Sequence, residues 1–146
     1  MPIPSTPDRI LWRIHLASPP KAVYELIATD TGRARFWAES AVERDGAIDF
    51  VFINGMRNRS QILKRTPPHH FELDYFNSRV VFELAPDSKG GTDLTLTNTG
   101  VDPEEWDEVL PGWLNVLFPL KAAVDFDIDL RNHDAARTWE QGYVDQ

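Results

Sequence analysis

Alternating apolar and polar residues mark the first regular element of the chain, the segment RILWRIHL at residues 9–16. Ile10, Trp12 and Leu16 share one face and Arg13 lies on the other, and this period of two predicts a half-buried β-strand. The spacing becomes helical in the next segment, SPPKAVYELIA, where a serine precedes two prolines that suit a first helical turn. A second short helix is predicted at GRARFWAE.

Closely spaced turn signals divide the middle of the chain. Asp45-Gly46 and Asn54-Gly55 are typical of type I′ hairpin turns, in which both central residues need a positive φ. Asn77-Ser78 and the SKGG segment at residues 88–91 indicate two further turns. The intervening segments are too close together for crossover helices, so the pattern predicts an antiparallel meander of strands.

Helical spacing returns after Asp102, a predicted cap that Pro103 follows at the first helical position. Pro111 with Gly112 should kink or divide this helix, and Pro119 should bend it. Its apolar positions recur every three or four residues: Trp106, Val109, Leu110, Trp113, Leu117, Leu120 and Val124. Of the predicted elements, this helix has the length to cover the apolar face of a one-sided sheet.

These elements together predict an α+β protein with the helix-grip architecture. A curved antiparallel sheet of six or seven strands would wrap on a long C-terminal helix, with two short helices after strand one. We expect one domain over residues 1–146, with a core at about residues 9–131 and a tail at 132–146.

Composition excludes several classes of function. The chain has 23 acidic and 15 basic residues and a formal charge of −8, which repels phosphate backbones and argues against nucleic-acid binding. It has no cysteine, so disulfides, thiolate metal sites and cysteine nucleophiles are excluded and a cytoplasmic location fits. We expect no signal peptide, because no basic segment precedes an apolar one. We expect no membrane insertion either, since no apolar run approaches the ~20 residues that cross a bilayer.

Known motifs for metals and nucleophiles are missing from the sequence. His69 and His70 are neighbours on a predicted strand, so their side chains point to opposite faces. The segment DFDIDLRNHDAA imitates a calcium loop, but Leu130 and Ala136 occupy positions that need glycine and glutamate. We therefore predict no metal, no cofactor and no catalytic residue from local motifs. A general acid–base enzyme remains open, because such residues need no local motif.

Polar residues share the phase of the predicted core. Alternation along the strands predicts these apolar residues to face inward: Ile48, Phe50, Phe52, Phe71, Leu73, Tyr75, Val80, Phe82, Leu84, Leu94 and Leu96. Asn58, Ser60 and Asn98 fall on the inward face of their strands, and Lys121 follows Trp113 and Leu117 at four-residue steps. An apolar hollow with a few polar groups is typical of a small-molecule site. The predicted ligand contacts are Trp37, Phe50, Asn58, Ser60, Tyr75, Asn98, Trp113, Leu117 and Lys121. A solid core with a few buried hydrogen bonds would explain the same pattern.

Three segments resemble one known family. VYELIATDTGRARFWAES, INGMRNRSQILKRTPPHHFELDY and GWLNVLFPLKAAV are similar, in this order, to bacterial relatives of the heat-shock-protein ATPase activator in the START-like (SRPBCC) superfamily. The resemblance covers roughly residues 9–125. It implies an elongated cavity between the sheet and the last helix, in a superfamily of lipid and hormone binders, polyketide cyclases and aromatases, and co-chaperone domains. Pro119 and the long tail depart from the family pattern.

Three functional hypotheses follow. In the first, the cavity binds a small hydrophobic or amphipathic molecule. In the second, a cyclase- or hydrolase-like enzyme uses the same cavity, with Tyr75 or a pocket-facing acid as proton donor. In the third, the domain is a protein-interaction or co-chaperone-like module, and Val51 and Ile53 form an outer apolar strip for a homodimer.

Overall fold

The computed structural model describes residues 5–145, and one seven-stranded sheet dominates it. The strands are β1 (Arg9–Leu16), β2 (Ser40–Arg44), β3 (Ala47–Val51), β4 (Arg57–Thr66), β5 (His70–Tyr75), β6 (Ser78–Pro86) and β7 (Thr92–Thr99). Their order is β1-β7-β6-β5-β4-β3-β2, and each neighbouring pair is antiparallel. The predicted meander is confirmed. Residues 1–4, part of the segment considered for a signal peptide, and the last tail residue, Gln146, lie outside the described range.

Two short helices follow β1, as predicted: α1 (Pro20–Ala28) and α2 (Asp30–Arg33). Thr29 caps α2, because its hydroxyl accepts a hydrogen bond from the Gly32 amide at 3.1 Å. A Cβ at Gly32 would lie 2.5 Å from the Leu26 Cα, so only glycine allows this close approach of the two helices. The turn directs the following residues, including Trp37, into the core.

Two of the predicted turns differ from expectation, whereas a third is confirmed. Asp45 (φ 52°) and Gly46 (φ 77°) form the type I′ turn between β2 and β3. At Asn54-Gly55 only Gly55 has a positive φ. The loop closes between Phe52 and Met56, so it is one residue longer than the two-residue loop of a type I′ turn. The β5–β6 turn centres on Phe76 and Asn77, one residue earlier than predicted, since Tyr75 pairs with Ser78.

The C-terminal helix is divided at Trp113 into α3 (Trp106–Gly112) and α4 (Leu114–Phe126), after a 3₁₀ turn at Pro103–Glu105. The predicted break at Pro111-Gly112 is confirmed, and Pro119 is buried within α4. The whole run Pro103–Phe126 is long and apolar enough by composition to cross a membrane, which the sequence analysis did not expect. In this fold Val116, Leu117 and Leu120 instead belong to the core that packs against the sheet.

The core lies between the concave face of the sheet and helices α1 and α4. Its centre is Trp37, whose ring contacts those of Phe50, Tyr75, Phe82 and Trp113 at centroid distances of 4.9–6.3 Å. Of the apolar positions that alternation predicts to face inward, Phe52 and Tyr75 are half-buried. The others are buried: Ile48, Phe50, Phe71, Leu73, Val80, Phe82, Leu84, Leu94 and Leu96. Each such side chain stabilises the fold by about 1.5–3 kcal/mol relative to exposure.

Residues 127–145, which we call the C-terminal strap, leave α4 at Asp127 and run beside the segment that follows α2. Arg35 pairs with Asp127 at 2.7 Å. Arg131 donates hydrogen bonds to the carbonyls of Ala34 (2.7 Å) and Ala38 (2.8 Å). The strap therefore forms a further wall at one end of the groove between sheet and helix.

Candidate functional site

A cavity of about 1110 Å³ opens at the end of the sheet where β7 leads into α3. Loops form most of its wall: the β3–β4 loop, the β5–β6 turn, the segment Gly100–Glu108 and the strap. From the sheet itself come Tyr75, Ser78 and Asn98, and Trp37 reaches it from the segment after α2. The cavity therefore lies between the ends of strands and a ring of connecting segments.

Aromatic rings make the apolar part of this wall. Tyr75 and Phe76 meet edge to face at 4.8 Å, and Phe52 lies 5.8 Å from Phe76. The positive φ of Phe76 places its ring at the turn, and 38% of the residue remains exposed. Trp139 of the strap is also in the lining and is equally exposed. Large rings exposed inside a concave site are typical of ligand-binding surfaces.

The Tyr75 hydroxyl is a polar group beside Trp37 at the centre of the core. It accepts a hydrogen bond from the Trp37 indole nitrogen at 3.2 Å, while its ring reaches the cavity. Burial raises the pKa of the Tyr75 phenol above its ordinary value, although the Trp37 hydrogen bond works in the opposite direction. The phenol is therefore neutral at physiological pH, and it is suited to hydrogen bonding rather than to releasing a proton.

Asn98 joins the sheet to the C-terminal helix at the edge of the cavity. Its side-chain carbonyl accepts from the Trp113 indole at 3.0 Å, and its amide donates to Ser78 Oγ at 2.9 Å and to the Arg79 carbonyl at 3.0 Å. Asn98 is only 1% exposed, so each of these bonds replaces water that burial removes. A polar residue at this inward position thus has a structural role as well as a place in the cavity wall.

Of the nine predicted ligand contacts, the structure brings three together in the cavity wall: Trp37, Tyr75 and Asn98. Trp113 lies beside them, buried, with its indole on Asn98. Phe50 contacts Trp37 and Tyr75 from within the core.

The remaining predicted contacts lie elsewhere. Leu117 is buried in the core, and Asn58 donates to Ser60 Oγ at 2.8 Å along β4. The Lys121 ammonium donates to the His15 carbonyl at 2.6 Å and lies 3.5 Å from Asp125, at the far end of α4. The prediction that Lys121 faces inward with Trp113 is not met. Lys121 follows Trp113 by eight residues, and at 100° per residue this rotates its side chain about 80° away from that of Trp113 around the helix axis.

Sequence reasoning missed the loop and strap residues of the wall. Glu39, Thr138 and Trp139 line the cavity although none lies in a predicted strand, and Glu108 on α3 lies off the apolar positions predicted for that helix. Alternation and helical spacing assign faces only within regular elements, so loop residues carry no such signal. The capping box of Thr138 with Gln141 was a usable local signal for the last turn of the strap.

A buried cation fixes the strap. Arg131 is 6% exposed in its side chain and pairs with Asp129 at 3.0 Å, in addition to its two backbone carbonyls. Desolvation would raise the pKa of Asp129, but hydrogen bonds from Arg131 and His133 outweigh it and hold that pKa well below its usual value. The Asp129 carboxylate is therefore charged, and Arg131 donates hydrogen bonds through Nε and both terminal nitrogens.

His133 bridges two carboxylates, with Nδ1 2.6 Å from Glu39 and Nε2 2.7 Å from Asp129. Hydrogen bonds to Asp129 and then to Glu39 raise the pKa of His133 above its ordinary value of 6.5. The protonated ring donates at both nitrogens, which matches two acceptors. This contact links the strap directly to Glu39 in the cavity wall.

Within residues 5–145 no group of three or more histidine, aspartate or glutamate side chains has an arrangement that could hold a metal ion. The cavity wall itself offers hydrogen bonding by Tyr75, aromatic contact and the charge of its carboxylates.

Comparison with known proteins identifies the family. A sequence model of the family described as "Activator of Hsp90 ATPase homolog 1-like protein" (AHSA1) matches residues 17–125, well over half of the chain. The chain belongs to the AHSA1 family. The predicted membership of this START-like family is thereby confirmed, and so is the α+β helix-grip fold of seven strands and a long C-terminal helix. The strap lies beyond the part of this AHSA1-family chain that the family model matches.

Solved structures share this AHSA1-family fold. Protein SSP2350 of Staphylococcus saprophyticus is 18% identical, with a TM-score of 0.73 over 84% of this chain and 96% of its own. The Aha1 dimer of Colwellia psychrerythraea is 19% identical, with a TM-score of 0.72 over 81% and 96%. CV1439 of Chromobacterium violaceum is 24% identical, with a TM-score of 0.63 over 82% and 99%. Among curated proteins, none matches the chain.

Proposed function

We propose that this AHSA1-family protein binds a small, largely apolar or amphipathic molecule in the cavity at the end of the sheet. The observation that carries the proposal is a concave site whose wall includes the exposed rings of Phe76 and Trp139, with the half-buried ring of Phe52 beside Phe76. The volume of about 1110 Å³ is near the upper end of the ~300–1,000 Å³ range of small-molecule sites. We further propose one domain in a cytoplasmic protein, consistent with the lack of cysteine.

Within this proposal, Trp37, Tyr75 and Asn98 contact the ligand, as predicted from the sequence. The Tyr75 hydroxyl offers a hydrogen bond, and Trp37 and Phe76 provide ring faces. Phe50, Trp113 and Leu117 support this wall from the core. We do not extend the ligand site to Asn58, Ser60 and Lys121. Asn58 and Ser60 bond to each other along β4, and Lys121 contacts His15 on β1 and Asp125 at the far end of α4.

Binding of Nile red, a neutral dye whose fluorescence rises in apolar surroundings, tests the proposal. Phe76→Asn removes a ring from the cavity wall, and asparagine tolerates the positive φ at this position. We expect this variant to weaken dye binding several-fold. Leu63→Asn is the matched control, because Leu63 is 50% exposed on β4 and outside the lining. Equal loss of binding in both variants, or no binding by the wild type, would contradict the proposal.

The enzyme hypothesis remains a prediction. Tyr75 is in the cavity wall, as a proton donor would need to be, but the raised pKa of its phenol makes it a weak acid. Because nothing in the described site pairs this phenol with a base, ligand binding is the function we favour.

A homodimer is a second candidate, favoured by exposed apolar side chains on α4 and at the start of the strap. Phe118, Phe126, Ile128 and Leu130 are each more than half exposed, up to 66% at Phe126. The related protein from Colwellia psychrerythraea is described as a dimer. Val51 and Ile53, the strip predicted for dimer contact, are half-buried, and Ile53 lines the cavity. Sedimentation equilibrium tests the homodimer. We expect the wild type to be dimeric and Phe126→Ser to be monomeric, and a monomeric wild type would contradict the proposal.

A further inference from the structure

The cavity that we propose as the ligand site has a wall of strongly one-sided charge. Five carboxylates stand among its aromatic rings: Glu39, Asp102, Glu105, Glu108 and Glu140. They come from three separate parts of the chain, namely the segment after α2, the region from β7 to α3, and the strap. Glu39 is paired with His133 of the strap at 2.6 Å, and helix termini account for some of the other acidic residues locally. Neither explains why Asp102, Glu105, Glu108 and Glu140 converge on one cavity.

Positive charge in the wall is already neutralised. In the described part of the chain, Arg131 is the only lysine or arginine in the lining. Its guanidinium is nearly fully buried, donates to two backbone carbonyls and pairs with Asp129, which is outside the lining. The His133 imidazole beside the wall is engaged at both nitrogens by Glu39 and Asp129. An anionic ligand would therefore meet carboxylates and cations that already have partners, and this arrangement disfavours fatty acids and phosphates.

The aromatic residues suit a cationic ligand for a second reason. An ammonium group is attracted to the faces of tryptophan, tyrosine and phenylalanine rings, and more strongly where water is partly excluded. Trp139 and Glu140 are neighbours on the strap, and Asn54 Nδ2 donates to the Glu140 carboxylate at 3.0 Å. Because the Asn54 amide is neutral, it does not compensate the negative charge of Glu140. The neighbouring ring of Trp139 also attracts cations.

From this combination, and on the basis of the ligand site proposed above, we infer that the cavity selects an amphipathic cation, an amine carried on an aromatic or aliphatic body. The apolar body packs on Phe52, Phe76 and Tyr75, and the ammonium faces Glu108 on α3 and Glu140 on the strap. Selection of the charge therefore depends partly on the strap, which lies outside the family-matched residues.

Three probes of one shape test this inference by calorimetry at neutral pH and low salt: 2-naphthylmethylamine, 2-naphthylmethanol and 2-naphthoate. We expect the amine to bind about tenfold more tightly than the alcohol, which corresponds to ~1.4 kcal/mol, and the carboxylate to bind most weakly. Added salt should reduce the advantage of the amine and leave the alcohol unchanged.

Two double variants test whether carboxylates in the cavity wall cause the preference for the amine. Glu108→Gln with Glu140→Gln keeps the side-chain shape and the acceptor that Asn54 uses, and it should reduce the advantage of the amine at least threefold without weakening the alcohol. Glu25→Gln with Glu83→Gln removes the same charge outside the lining and should retain the advantage.

Equal binding of the three probes, or tightest binding of the carboxylate, would overturn the inference. A loss of amine selectivity in the Glu25/Glu83 control as large as in the Glu108/Glu140 variant would overturn it too. If the alcohol binds but the amine has no advantage, only the charge inference fails. If none of the three probes binds, the proposed ligand site fails together with the inference.

Discussion

The two ends of the groove between sheet and helix differ in what fills them. At the far end, α4 packs directly on the sheet, and Asp125 seals the junction by accepting hydrogen bonds from the Ala17 and Ser18 amides, each at 3.0 Å. At the other end the chain divides at Trp113, and loops and the strap stand around an open cavity. The inward-facing side chains of the sheet therefore contribute to a solid core at one end of the groove and to the wall of a cavity at the other.

The difference shows that the connecting segments, more than the strands, create the cavity. Inward-facing residues of β7 are equally buried in the solid core and at the cavity, as Leu94 and Asn98 illustrate. The cavity appears where Phe76, the segment after β7 and the strap meet. We therefore expect substitutions at the closed end to change stability and substitutions at the open end to change binding.

The largest expected effect is at the closed end. Leu120→Ala removes a fully buried side chain from α4 and should lower the free energy of unfolding by about 2–5 kcal/mol, because the cavity left behind does not refill completely. Phe76→Asn, at the open end, should cost less than ~1 kcal/mol. Urea denaturation measures both changes. Similar losses of stability in the two variants would break the comparison.

A smaller effect is expected at Asn98, on the boundary between the two ends. Asn98→Leu leaves the Trp113 indole without its acceptor and should cost about 1–3 kcal/mol. Adding Trp113→Phe, which removes the unpaired donor, should make the double variant less unstable than the sum of the single changes. Strict additivity in the double-mutant cycle would show that the Asn98–Trp113 bond does not join sheet and helix.

The smallest expected effect is the pH dependence of the strap. Because the folded pKa of His133 is raised, its contribution to stability is fully present below about 6.5 and is lost as pH rises through the folded pKa. The side chain is 38% exposed, so solvent screening keeps this contribution below ~1 kcal/mol.

His133→Gln measures the contribution of the His133 charge. The difference in free energy of unfolding between wild type and variant should shrink between pH 6 and pH 8.5. A difference that stays constant or grows with pH would show that the contacts to Glu39 and Asp129 do not depend on the charged imidazole.

The sequence predicts the fold well and the cavity only in part. Alternation places Phe50, Phe82 and Leu94 correctly, because a strand with one buried face must repeat every two residues. The turn at Asp45-Gly46 is predictable for a similar local reason. The exact turn at Phe76-Asn77 is not, since the register of β5 with β6 decides it through pairing distant from the turn itself.

The cavity wall depends on interactions that no local pattern reveals. Arg131 lies in a segment that resembles a poor calcium loop, yet its carbonyl partners at Ala34 and Ala38 are more than 90 residues away. Glu140 reaches the same cavity as Glu39 because this anchor holds the strap in place. Long-range contacts of this kind become visible only with the tertiary structure.

The central claim, that a ligand occupies the open end, is tested most directly by the indole N–H signals in a ¹H–¹⁵N spectrum titrated with 2-naphthylmethanol. The signals of Trp37 and Trp139 should shift in a saturable way, because both residues line the cavity. The Trp12 signal should stay in place, since its indole donates to the Leu110 carbonyl at 2.8 Å outside the lining. A titration that leaves Trp37 and Trp139 unmoved, or that moves Trp12 as much as either of them, would contradict the account.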